Sequence, residues 1–224
     1  MKIIATVSEQ DILSLDRYDT SCVDVLEIRL DLCSEKFLSE NFSSSLSDWK
    51  GALLFTYRNQ EDSSIKDQHI QRKDFIEKFL EPFNSENNFL DIDMKRDHGM
   101  FEKYEISNYK IIYSVHNFDG IISYTEMNIF SEPKRKTNPD SIFKFAAFPK
   151  SAAESVQFLS AIKAFSVKAA VIGIAMGAEG LYSRIFGDRF GSSMTYCCLD
   201  EPKAPGQIKA ADLKRIRILS ELDL

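Results

Sequence analysis

Short runs of apolar, β-branched and aromatic residues recur along the whole chain, at 2–7, 23–29, 52–57, 89–93, 110–115, 142–147, 169–174 and 193–197. Longer amphipathic stretches separate them. Phe75, Ile76, Phe79 and Leu80 fall three and four apart, as do Leu213, Ile216, Leu219 and Leu222, a repeat that gathers apolar side chains on one face of a helix. Ser151 followed by Glu154 fits a capping box, so a helix is predicted to begin just after Pro149 and to bury Val156, Leu159 and Ile162. Lys134, Arg135 and Lys136 sit beside Pro133 and Pro139 and read as a solvated polar loop. Eight strands alternating with helices demand parallel pairing and helical crossovers, and the count is that of a single α/β domain, a (β/α)8 TIM barrel over residues 1–224. A doubly wound sheet would instead carry a glycine-rich first turn, and Thr6-Val7-Ser8-Glu9-Gln10 has no glycine.

Composition narrows the partners. With 224 residues and 44% hydrophobic content the chain can bury a large core. A formal charge of -6 offers no footprint for a phosphate backbone or an anionic membrane, which argues against nucleic-acid and membrane partners. The first residues lack a long apolar core with a cleavage site, and no apolar run approaches about 18 residues, so a soluble, cytoplasmic protein is expected. Cys22, Cys33, Cys197 and Cys198 show no CxxC spacing and are expected as thiols. His69, His98 and His116 show no metal-ligand spacing, so a metal site is not expected.

The polar residues change the picture more. In a barrel of this kind functional side chains cluster where strands end. The second run closes with Glu27, Arg29 and Asp31, two apart and so on one face of an extended strand. The third ends in Thr56 and Arg58, the fourth in Asp91 and Asp93, the fifth in Ser114 and His116, and the sixth sets Lys144 between Phe143 and Phe145. Taken singly, Glu27 with Arg29 reads as well as a structural ion pair, and His116 as a hydrogen-bonded histidine. Charges inside apolar strands are costly unless paired or functional, and one inward-facing site explains all five strand ends together. A lysine amine and a histidine in one pocket are the parts needed for Schiff-base chemistry with proton transfer. After the seventh run Gly173, Gly177, Gly180, Gly187 and Gly191 crowd around Ser183 and Arg184. Exposed amides and a guanidinium there point to an anion, with a tight loop as the alternative.

In order along the chain, Glu27-Ile28-Arg29-Leu30-Asp31, Phe55-Thr56-Tyr57-Arg58, Ser114-Val115-His116-Asn117-Phe118, Lys144-Phe145-Ala146-Ala147-Phe148-Pro149, Gly177-Ala178-Glu179-Gly180-Leu181-Tyr182-Ser183-Arg184 and Ala204-Pro205-Gly206-Gln207-Ile208 together resemble the type I 3-dehydroquinate dehydratases. The resemblance implies a homodimeric barrel that converts 3-dehydroquinate to 3-dehydroshikimate and water with no cofactor. By motif, Lys144 is similar to the Schiff-base lysine and His116 to the general acid/base. Glu27, Arg29, Arg58, Arg184, Gln207 and, at the end of the first run, Thr6 match substrate-binding positions. Three departures stand out: Asp62 with Glu61 beside it, and no glycines, where the family has an acidic residue followed by two glycines; Lys203 where it often has a ligand-binding serine; and Asn117 after the histidine, where an acidic residue is common. The carboxylate that orients His116 is expected to be Asp62, with Glu61 as the alternative and Asp91 supporting from below. Two rival functions remain: another Schiff-base barrel of the aldolase type, and a ligand-binding protein with a degenerate pocket.

Overall fold

The computed structural model describes residues 1–58, 72–96, 101–104 and 107–221. Strand periodicity sorts each apolar run into two faces, and both faces find partners. In β1 (Lys2–Val7), Ile3, Ala5 and Val7 pack outward while Ile4 and Thr6 turn inward. The same alternation runs through β2 (Val25–Arg29), β3 (Ala52–Thr56), β4 (Phe89–Asp93), β5 (Lys110–Asn117), β6 (Ile142–Ala147), β7 (Val171–Ala175) and β8 (Met194–Cys198). All neighbouring strands are parallel, in the order β7-β6-β5-β4-β3-β2-β1-β8. A parallel bridge between Val171 and Ser192 closes the ring, and Ser193 N donates to Val171 O at 2.8 Å. The eight-stranded barrel read from the sequence is present.

The outward side chains meet α1 (Glu9–Leu13), α2 (Glu35–Glu40), α3 (Phe42–Ser45), α4 (Lys73–Leu80), α5 (Tyr124–Thr137), α6 (Ala152–Phe165), α7 (Leu181–Phe186) and α8 (Ala210–Glu221) in one large apolar shell. A second, smaller cluster of Ile4, Val25, Leu54, Phe89, Ile112, Ile172, Met194 and Tyr196 fills the lower lumen. The barrel interior is therefore solid below, and the buried inward polar groups among the described residues lie toward the carboxyl ends of the strands. Among the described residues no helix is long and apolar enough to cross a membrane.

Three local expectations are corrected. Lys134, Arg135 and Lys136 form the last turn of α5, with Pro133 inside that helix. Cations at a helix carboxyl end meet its negative dipole, and Lys136 pairs with Glu132 one turn back at 3.0 Å. The helix α6 begins where expected, Ser151 Oγ accepting from Glu154 N, but Glu154 bonds Lys150 N rather than Ser151 N. Its buried face carries Ser155, Phe158, Leu159, Ile162 and Phe165, and Val156 is 62% exposed. In α8, Leu213 is buried and Ile216 half-buried, whereas Leu219 is exposed.

Candidate active site

Parallel register brings the polar strand ends into one ring. Ser114 of β5 lies beside Lys144 of β6, and Thr56 of β3 beside Asp91 of β4. Thr6, Glu27, Arg29, Arg58, His116, Lys144, Arg184 and Gln207 all line a single cavity at the carboxyl end of the barrel, with Ile174, Met176 and Tyr196 as apolar wall.

Asp91 is the floor. One oxygen accepts from Arg58 Nη2 and Lys144 Nζ, each at 3.0 Å, and the other from the Ser114 hydroxyl. Burial alone would push this carboxyl up, but the Arg58 guanidinium, then the Lys144 ammonium, hold it well below the usual carboxylate range. Lys144 lies also 3.9 Å from Glu27 Oε1, and its Nζ stands 4.2 Å from the Tyr196 ring centroid, over the ring. A lysine so placed has its amine fixed by a carboxylate and an aromatic face.

His116 sits one pleat above. Its Nδ1 lies 3.0 Å from Asp93 Oδ2, which Arg58 Nη1 also reaches at 3.4 Å. Burial would raise the Asp93 carboxyl too, yet the hydrogen bond from His116 and then Arg58 keep it low. An ionised carboxylate only accepts, so Nδ1 carries the hydrogen and Nε2 keeps the lone pair. Burial, and after it the Arg58 guanidinium, draw the imidazole down to about 4 against the opposing pull of Asp93. The ring is a neutral base throughout the neutral pH range.

The remaining groups are cross-braced. Glu27 accepts from Thr6 Oγ1 at 2.7 Å and Thr56 Oγ1 at 2.9 Å, and Thr6 in turn accepts from Gln207 Nε2 at 2.9 Å. Gln207 Oε1 accepts from the amides of Lys203 and Ala204, which fixes the loop after β8 over the cavity. That loop makes a tight turn at Gly206, whose φ of +76° and approach to Gly177 O, 2.5 Å from where a Cβ would stand, leave room only for glycine. Arg29 forms a two-pronged pair with Asp31 at 2.8 and 2.6 Å. Asp31 lies in a 3₁₀ turn just past β2, so its expected place on the strand is corrected while its pairing with Arg29 holds.

Arg184 differs from the other cations. It is 1% exposed, donates to the main-chain oxygens of Tyr196 and Pro205, and has no carboxylate on it among the described residues. Burial lowers its pKa only to about 10, so a positive charge faces the cavity with no counter-anion among the described residues. Of the five glycines expected to frame an anion, Gly173 and Gly180 instead give way to Ile162 and the Ala175 backbone, as packing positions.

A model of the family described as Type I 3-dehydroquinase matches residues 2–223. The chain belongs to the type I 3-dehydroquinase family. Its enzyme class, 3-dehydroquinate dehydratase, follows from that membership. Solved structures agree in fold. The 3-dehydroquinate dehydratase of Aquifex aeolicus VF5 superposes with a TM-score of 0.76 at 21% identity, covering 100% of both chains. That of Geobacillus kaustophilus HTA426 gives 0.75 at 21% identity over 97% of this chain and 90% of its own. The Clostridium difficile type I enzyme, described with covalently modified comenic acid, gives 0.75 at 20% identity over 98% and 91%.

Within this 3-dehydroquinase, three roles that sequence reasoning did not assign become visible, at Asp93 and Lys203, which it had noted, and at Tyr196, which it had not. Asp93 is the carboxylate on His116 among the described residues, whereas Asp91, one of the candidates, is engaged by Lys144, Arg58 and Ser114. Asp62 and Glu61 lie outside the described residues. The signal for Asp93 was its spacing of two from Asp91, which puts both on the inward face with Asp93 nearer the strand end. Lys203, which also lines the cavity, pairs with Asp11 Oδ2 at 3.1 Å, and Tyr196 lies beneath Lys144. Neither contact had a sequence signal, because each joins segments far apart in the chain.

Proposed function

We propose that this enzyme dehydrates 3-dehydroquinate to 3-dehydroshikimate through an imine on Lys144, with His116 as the acid/base. The observation that carries the reading is a buried lysine and a neutral histidine on adjacent strands, facing the cavity that Arg184 also lines. The Lys144 ammonium gives one proton to His116 Nε2, the freed amine adds to the substrate ketone, and that proton returns to the carbinolamine hydroxyl so that it leaves as water, giving a protonated imine. That cation makes the neighbouring C–H acidic. His116 Nε2 takes the proton, the C–H pair becomes the C=C bond of an enamine, and the C=N π pair moves onto nitrogen. The enamine expels the hydroxyl one carbon further on, which leaves as water with the proton from His116. Hydrolysis of the conjugated imine frees Lys144 and the enone. Arg184 would hold the substrate carboxylate, while Glu27, Arg29, Arg58, Thr6 and Gln207 would fix its hydroxyls. A loop carboxylate at Asp62 would complete the catalytic set. The same reading includes a cytoplasmic homodimer, checked for assembly by sedimentation.

Mixing the protein with 3-dehydroquinate should produce the ultraviolet absorbance of a conjugated enone. A folded protein that binds the substrate and yields none would replace the enzyme by a binding protein.

The pH profile tests the role of His116. A base must be deprotonated, so kcat/KM should hold on acidification past pH 6.5 and fall on a limb near 4, the value to which burial and Arg58 bring the ring. Folding stability moves in the same sense. Between those two values the unfolded chain binds a proton at this histidine that the folded protein refuses, so stability rises with pH across that window and is lost as pH falls. An activity limb centred near 6.5 would show that the imidazole is not desolvated.

Arg184→Lys should raise KM by about tenfold or more and change kcat less, because a point charge replaces a two-pronged donor to the carboxylate. Steady-state kinetics at fixed pH separates the two effects. An unchanged KM would place the carboxylate elsewhere.

A further inference from the structure

Two residues lining the cavity carry a buried polar atom with no partner among the described residues, Arg184 Nε and Tyr196 Oη. The guanidinium is accounted for by a carboxylate ligand. The phenol is not. Tyr196 is 4% exposed, lies in register beside Ile4 and turns into the lumen, while its main-chain oxygen accepts from Arg184 Nη1 at 3.2 Å. A buried hydroxyl that meets no acceptor costs folding free energy, so its retention at the centre of the site calls for a partner that arrives with the ligand.

The other inward hydroxyls are already committed. Thr6 and Thr56 each donate their single proton to Glu27, and Ser114 donates its proton to Asp91. Tyr196 alone among these four keeps a proton with no acceptor on the protein among the described residues. Burial, with Glu27 and Asp91 nearby, pushes the phenol well above its ordinary value, so it is a neutral donor at any working pH. Its position is defined by Lys144. With Nζ over the ring face at 4.2 Å from the centroid, a hydroxyl on the ring's rim is on the order of 5 Å from the amine. That gap is spanned by one carbon and its oxygen when a carbonyl carbon joins Nζ.

We propose that Tyr196 Oη donates a hydrogen bond to the oxygen on the carbon that Lys144 attacks, first the ketone oxygen and then the carbinolamine hydroxyl. The proposal rests on Lys144 being the attacking amine. When the N–C bond forms, the carbonyl π pair moves onto oxygen, and that oxygen collects the proton that nitrogen loses. The phenol keeps its own proton throughout and serves only to polarise and hold the oxygen. It selects a ligand with a carbonyl at this depth and disfavours one with a methylene there, which would leave the hydroxyl unpaired.

Tyr196→Phe removes one oxygen atom and tests this directly. The rate of borohydride-trapped adduct formation at Lys144, and kcat/KM with it, should fall about tenfold, the worth of one buried hydrogen bond. The unfolding temperature of the ligand-free variant should equal or exceed that of the wild type, because an unpaired hydroxyl has been removed from the interior. A lower unfolding temperature would mean that the hydroxyl has a protein partner and would overturn the proposal, as would a trapping rate within about twofold of wild type. Wild-type protein that turns over without any adduct at Lys144 would remove the lysine reading and this proposal together. A trapped wild-type adduct with an unaffected Tyr196→Phe rate would remove this proposal alone.

Discussion

Lys144→Met should abolish dehydration, with kcat falling on the order of 10⁵-fold, and should leave a folded protein that still binds the substrate. Methionine keeps the length and the apolar stem that packs in the barrel, but it cannot form an imine. The substitution strips one of three donors from Asp91, and Arg58 and Ser114 remain on that carboxylate, so the buried charge is not left bare. Breaking a buried pair completely is expected to cost about 3–5 kcal/mol, and the surviving partners place this variant below that range. Borohydride with substrate should add the reduced ligand's mass to the wild-type peptide carrying Lys144 and add nothing to the variant. Label on another lysine, or substantial turnover by Lys144→Met, would end the assignment.

The second large effect belongs to the histidine. His116→Ala should lower kcat by about 10²–10⁴-fold, the usual contribution of a positioned acid/base, while Lys144 still forms its imine. Adduct should therefore accumulate in the variant and be trapped by borohydride more fully than in the wild type. Asp93→Asn should reproduce part of this loss. An amide in place of Asp93 can turn its NH₂ toward Nδ1, moving the ring hydrogen to Nε2 and abolishing the lone pair that faces the substrate. Its effect should fall on kcat rather than KM, since Asp93 touches the histidine and Arg58 rather than the cavity. A His116→Ala variant retaining more than about a tenth of the wild-type rate would contradict the role. Asp93→Asn with full activity would leave the orientation of His116 to a carboxylate outside the described residues.

The eight strands were legible because a closed parallel sheet buries both of its faces, so each run had to be apolar and β-rich whatever its neighbours. The polar ring was legible for a related reason. Glu27, Arg58, His116 and Lys144 interrupt those runs where nothing but a shared site could satisfy them. Helix faces were less legible. Val156 falls at helical spacing from Leu159, yet which stripe of α6 meets the sheet depends on how the helix docks, and docking turned Phe158 and Phe165 inward instead. Lys134 to Lys136 read as a loop because the flanking Pro133 and Pro139 each remove a backbone donor, yet they are the last turn of α5. A capping box at Ser123 and Glu126 and a basic last turn sustain it nonetheless. The spacing placed Asp93 on the inward face, but its pairing with His116 was not legible, because the partner of a histidine is set by register between strands.

Asp91 has a consequence for how this enzyme can diversify. Because one carboxylate serves Arg58, Lys144 and Ser114 together, those four positions are a single unit of inheritance rather than four independent sites. A change at any one alters the value of the others, and groups sharing a partner combine non-additively.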